Sequence, residues 1–344
     1  MRKTLLALAT GSMAIAGTTA TADTGPLLYG KANVSYENVD DGNSDRWELN
    51  SNASRLGVKG DLDLDIDQLK AIYQAEFEIA FDDGDTGGGE TFSQRNIFGG
   101  FQHERFGTLK AGRFDSPLKV SQGDVDQLND LADIKNLMAG ENRVSDIIQY
   151  SSPTLGEHLN AHVAFSPGEE NENAGTNDLD DGPADTISSA LIFDDGTFYG
   201  ALAYDSNIED ELIADQTVDP AGANGDSRID ILRATGQVRI NNLELGGILQ
   251  QAEDSNGAGE ETSYLVSAGY SIDRVTLKAQ YGLTDADSVN NEVTLLGLGA
   301  DYRVGDQSKV FGYFQDLEPD NASGATDSED TRFGVGFEHK FAMN

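Results

Sequence analysis

The chain has 344 residues and sets 60 acidic side chains against 23 basic ones, a formal charge of −37, with no cysteine. That balance excludes nucleic acid as a partner. The missing cysteine excludes disulfides, thiolate metal centres and a cysteine nucleophile.

In chain order, residues 1–22 come first and read as an export signal. Arg2 and Lys3 form a positive start, Leu5 to Ala16 a short apolar core, and Ala20-Thr21-Ala22 a small-residue cleavage site. The mature chain is expected to begin at Asp23, with 322 residues and a charge of −39, because only Arg2 and Lys3 are lost. Beyond the signal no apolar run is long enough for a membrane helix.

The rest of the chain alternates between apolar and polar residues, the period of a strand with one oily and one wet face. The first strand is predicted over Leu28–Glu37, with Leu28, Gly30, Ala32, Val34 and Tyr36 on one side and Tyr29, Lys31, Asn33 and Ser35 on the other. Ser54–Leu62 and Leu69–Phe81 are next. The latter sets seven apolar residues against Lys70, Gln74, Glu76 and Glu78. Further strands are predicted over Asn96–His103, Thr108–Phe114, Val144–Ser151, His158–Phe165, Thr186–Phe193, Thr197–Tyr204, Ile229–Ile240, Leu243–Gln251, Ser263–Ile272, Val275–Leu283, Val293–Val304, Lys309–Gln315 and Thr331–Phe341.

That makes sixteen strands, and the last should pair with the first to close a transmembrane β-barrel. Short turns at one end alternate with long acidic loops at the other: 38–50, 82–93, 166–183, 205–226, 252–261, 284–291 and 316–330. The strong acidity suits a salt-rich habitat, where counterions screen self-repulsion. The connection 115–142 differs. It is less Gly-rich and carries Leu128, Leu131, Ile134, Leu137 and Met138 at helix-like spacing. A loop with its own apolar side needs a wall to pack on, so this third loop is expected to fold into the barrel and narrow it.

Several segments resemble the general porins of Gram-negative outer membranes: Leu28-Tyr29-Gly30-Lys31, Ser54-Arg55-Leu56-Gly57-Val58-Lys59-Gly60, Leu69-Lys70-Ala71 with Gln74-Ala75-Glu76, Arg95-Asn96 to Gly107-Thr108-Leu109-Lys110-Ala111-Gly112-Arg113, Asn142-Arg143 to Pro153, and the closing Gly334 to Phe341. The chain departs from the family pattern in carrying Ala342-Met343-Asn344 after the final aromatic, and in lacking Pro-Glu-Phe-Gly-Gly in the inward loop. The resemblance implies a 16-stranded, trimeric barrel with periplasmic turns and extracellular loops, seated in outer-membrane lipid and lipopolysaccharide. It also implies basic wall residues facing acids on the inward loop. The matching basic positions are Lys31, Arg55, Arg113 and Arg143; parity puts Arg113 with Leu109 and Ala111, so it needs a bulge or strand end to point inward. Acids on the loop include Asp124, Asp126, Asp130, Asp133 and Glu141, with Asp124 and Asp126 favoured as lumen-facing.

Other motifs carry less. Asp61-Leu62-Asp63-Leu64-Asp65 has Ile66 and Ile72 where a calcium loop needs Gly and Glu, which excludes an EF-hand. Diffuse binding of divalent ions by loop carboxylates is left open. His103, His158, His162 and His339 have no nucleophile motif beside them, so no enzyme, no cofactor and no metal site is expected. The expected function is passive passage of ions and small hydrophilic solutes with a weak cation preference, from the acidic entrance. The alternatives are a channel selective for a sugar or an anion, and a barrel used for adhesion or envelope anchoring.

Overall fold

The computed structural model describes residues 25–86, 89–168, 182–215, 228–255, 257, 259–286, 289–321 and 330–343. The predicted signal, Asn344 and the middles of the loops 166–183, 205–226 and 316–330 lie outside the described residues.

Among the described residues, alternation produces seventeen extended segments: β1 Leu27–Asp40, β2 Asp45–Ser51, β3 Arg55–Asp63, β4 Leu69–Ile79, β5 Phe92–His103, β6 Gly107–Asp115, β7 Arg143–Ser151, β8 Leu159–Ser166, β9 Thr186–Asp194, β10 Phe198–Glu209, β11 Arg228–Ile240, β12 Leu243–Asp254, β13 Glu260–Ile272, β14 Val275–Ala286, β15 Asn291–Gly305, β16 Ser308–Asn321 and β17 Asp330–Met343. β2 and β3 pair in succession with β1 and form one broken strand, so the seventeen segments fill sixteen positions. All pairings are antiparallel, and β17 closes on β1 from Leu28↔Met343 to Asp40↔Thr331. A closed barrel leaves no unpaired edge, which is what a lipid environment demands.

The outward face is apolar: Leu202, Val266 and Val335 are each about 60% exposed or more. That much bare apolar surface is stable only against lipid. Strands run further than alternation predicted at the long-loop end. The predicted loop 38–50 is mostly a β1–β2 hairpin around residues 41–44, steadied outside by Trp47 stacked on Tyr36 (5.0 Å) and edge-on to Phe333 (5.4 Å). The charged residues there do not oppose a strand, because beyond the membrane both faces are wet. At the other end, β17 continues past Phe341, with Ala342 paired to Tyr29 and Met343 to Leu28.

Residues 116–142 leave the rim after β6 and pack on the inner wall. Val125, Leu128, Ala132, Ile134, Leu137 and Met138 are buried against Ile248, Leu265, Val293 and Leu295. Leu118 and Ala139 are buried against Ala190, Ala203, Ile229 and Ile231. The helix-like spacing yields only short turns, α1 Pro117–Val120 capped by Ser116 and a 3₁₀ turn at Ile134–Asn136 capped by Asp133. Between them Asp130 stands at φ +68°, which no helix tolerates.

Candidate functional site: the charged lumen wall

The loop's seat explains why it can fold inward at all. A buried loop must have its carbonyls satisfied. Wall side chains do this: Tyr199 donates to Ser121 O (3.1 Å), Gln280 to Ala132 O (2.7 Å), Thr284 to Leu137 O (2.5 Å), and Gln250 and Arg233 to Ala139 O (both 3.0 Å). Glycine supplies the space. A Cβ on Gly297 or Gly299 would stand 2.6 Å from Leu128, and one on Gly282 would collide with Leu137. The fully buried Arg233 pairs with Glu141 at 2.6 Å and fixes the loop's end.

Opposite this seat the lumen wall is charged. The break between β2 and β3 places Ala53 at φ +47°, and Ser54 Oγ patches it by bonding both the N–H and the carbonyl of Asn33 (2.9 and 3.0 Å). The next residue, Arg55, then reaches Glu76 (3.8 Å) and Asp130 (3.4 Å). Lys31 on β1 pairs with the same Asp130. A register shift between β4 and β5 sets Arg95 and Asn96 against Glu76. Arg95 is 7% exposed and bonds Glu76 (3.0 Å) and Glu78 (2.7 Å). Tyr29 donates to Glu76 (2.9 Å). At the start of β7, Arg143 pairs with Asp115 (3.2 Å), which Lys119 (3.4 Å) and Asn96 (2.8 Å) also hold.

Of the basic positions implied by resemblance, Lys31, Arg55 and Arg143 lie along this row. Arg113 does not join it. Its parity keeps it with Leu109 and Ala111, and it donates to Ser145 Oγ at 2.7 Å; the bulge falls on β7, opposite it. Among the loop acids, Asp130 meets the row, not the favoured Asp124 and Asp126. Asp124 pairs with Arg239 (3.1 Å). Asp126 is buried under the loop beside Gln280, its Oδ1 accepting from Leu128 N. Burial opposes ionisation of Asp130, yet Lys31 and Arg55 hold its carboxyl down to about 2. Burial, and then Asp133, push Asp126 well up.

Parity reasoning missed Arg95, because a bulge hides it. Its one sequence signal was its place in the Arg95-Asn96 segment. Counter-charges come from the wall as well as from the loop: three of the four acids pairing with these bases, Glu76, Glu78 and Asp115, stand on the wall, Glu76 and Glu78 on the polar side predicted for their strand.

The model of the Gram-negative porin family matches residues 4–322. This chain is a Gram-negative porin. Among its relatives, the major outer membrane protein P.IB of Neisseria meningitidis serogroup B / serotype 15 (strain H44/76) is 26% identical over 303 residues, 84% of this chain and 83% of that protein. P.IB of Neisseria gonorrhoeae is 25% identical over 99% of this chain and all of that protein. In fold, the anion-selective porin from Comamonas acidovorans matches with a TM-score of 0.71 at 20% identity, over 92% of this chain and 99% of that one. OmpF of Salmonella typhi matches with 0.70 at 16% identity, over 92% and 97%. The porin is therefore an outer-membrane channel and not an enzyme. In a water-filled passage the charged row and the loop edge at Asp130 can order a field across the path of a solute.

Proposed function

We propose that this porin is a general diffusion pore, working as a homotrimer, that passes ions and small hydrophilic solutes with a weak preference for cations. The loop 116–142 is its constriction, with Lys31, Arg55, Arg95 and Arg143 on one side of the path and Asp130 on the loop edge. The observation that carries this reading is the balance of the row. Each base is paired: Glu76, Glu78, Asp115 and Asp130 face these four cations and Lys119, which shares Asp115, so the row lies within one charge of balance. A constriction near neutrality leaves selection to the acidic entrance, where Asp40, Asp41, Asp45 and Glu48 crowd one hairpin around Arg46. That favours cations in a salt-dependent way.

An anion-selective channel is the second reading, favoured by the clustering of four cationic side chains within one stretch of wall. Planar-bilayer reversal potentials in a salt gradient decide between them. A small potential of cation sign, falling with salt, is expected; a clear anion preference overturns the proposal. Uptake of neutral solutes of graded size tests general diffusion, and a chemically distinct cut-off for one solute class defeats it. Crosslinking of the purified protein tests the trimer.

A further inference from the structure

The connection between β10 and β11, expected to be an extracellular acidic loop, begins by turning into the barrel. Residues 210–215 lie against the back of the inward loop. Asp210 Oδ2 accepts from Gly140 N at 2.6 Å, and Asn142 Nδ2 donates to Glu209 O at 3.4 Å. Gly140 stands at φ +91°, and its missing Cβ is replaced by Leu118 and Ile231, so this turn is tightly boxed. Leu212 is buried with Leu118, Ala139 and Ile231, Ala214 with Leu137 and Met138, and Ile213 packs on both groups. The segment thus joins the two apolar clusters that seat the loop.

The wall holds this segment from its far side. Glu261 on β13 is 1% exposed and accepts from Ala214 N at 2.8 Å, with the N–H groups of Ile213 and Asp215 turned toward the same carboxylate. Successive N–H groups around one anion form a nest, a backbone arrangement that fixes conformation. Asn291 Nδ2 donates to Ala214 O at 3.1 Å. A carboxylate removed from water and held by backbone donors is costly to strand, so the chain from wall to loop is Glu261, then 213–215, then Asp210, then Gly140.

We propose that residues 209–215 are a clamp on the inward loop, and that Asp210 and Glu261 are positioning residues that set how still the loop stands in the pore. Neither touches a solute; both act through the backbone of the loop. The clamp works by hydrogen-bond acceptance rather than by charge, which separates it from the ionic contacts at Asp130.

The test is hydrogen–deuterium exchange on the assembled porin, with single-channel current noise as a second readout. Asp210→Ala should speed exchange over 137–142 by about tenfold and add flicker to the open current. Asp210→Asn keeps an acceptor and should behave as the parent does. Glu261→Ala should speed exchange at 213–215 and also at 137–142, whereas Glu261→Gln should not. The proposal is overturned if Asp210→Ala leaves 137–142 at the parent rate, or if Glu261→Ala loosens only its own neighbours. It is overturned equally if the amide variants are as loose as the alanine variants. Should an alanine variant fail to assemble, Asp210→Ser, too short to reach Gly140, replaces it with the same expected acceleration.

Discussion

The inward loop meets two different walls. Its back rests on β9 to β15, where glycines make room, leucines are buried and wall side chains satisfy its carbonyls. Its edge at Asp130 meets β1 and β3, where it pairs with Lys31 and Arg55. The first contact is dry, dense and cooperative, and the cost of moving it is spread over a whole surface. The second is a few ionic contacts, with Lys31 and Asp130 largely buried and Arg55 partly exposed, so its cost rests on single charges rather than on a surface. Stability is therefore expected to depend on the seat and selectivity on the edge. Substitutions on the two sides should separate accordingly.

The largest effect should come from the seat's buried ion pair. Glu141→Leu leaves the guanidinium of Arg233, 0% exposed, without its counter-charge. Breaking such a pair from one side costs about 3–5 kcal/mol. Denaturation midpoints should fall accordingly, and the double variant with Arg233→Leu should recover much of the loss because no stranded charge remains. A single variant as stable as the parent would show that Arg233 finds water. Gly282→Val comes next. Its side chain enters the space of Leu137, and overpacking of this kind costs about 1–3 kcal/mol. Limited proteolysis within 116–142 should become faster while barrel assembly, read as heat-modifiable gel mobility, persists.

The two walls also differ in how well the sequence announced them. The barrel was legible because lipid outside and water inside impose alternation, and β4 follows its predicted pattern from Leu69 to Ile79. Alternation has no force beyond the membrane, so the hairpin carrying Trp47 looked like an acidic loop. The loop's apolar residues were visible, but not their conformation, since carbonyls satisfied by Gln280 and Thr284 need no helix. At the charged edge, parity counts failed wherever register slips. Arg95 lies in one bulge and Arg113 opposite another. Nothing local in the sequence distinguishes Asp130 from Asp124 or Asp126, and the left-handed backbone that sets its direction is not written in the residue type alone.

Arg55→Gln tests the edge without disturbing the seat. Arg55 is partly exposed and shares its acids with Lys31 and Arg95, so the stability cost should stay within about 1 kcal/mol. Reversal potentials should move further toward cations, since Glu76 and Asp130 keep their charge. Arg113→Gln should leave them unchanged, because Arg113 bonds Ser145 away from the row. Equal shifts from both would mean that the pore responds to total charge and not to this edge.

pH dependence should separate the two walls as well, because seat and edge run in opposite directions. Asp130 is held down to about 2, below the ordinary 3.8 of the unfolded chain. Its contribution to stability is complete above that ordinary value and fades as pH falls through about 2. Asp126 is pushed up, by burial first and then by Asp133. The folded loop prefers its proton, so an ionised Asp126 costs stability progressively as pH rises above 3.8. Asp126→Asn should therefore match the parent in acid and exceed it in stability near neutral pH. Asp130→Asn should fall below the parent near neutral pH and rejoin it only in strong acid. Denaturation midpoints of the three proteins from about pH 2 to about pH 7 give both curves. If the two variants diverge from the parent in the same direction, the loop's back and edge share one electrostatic environment, and the contrast between dry seat and ionic edge fails.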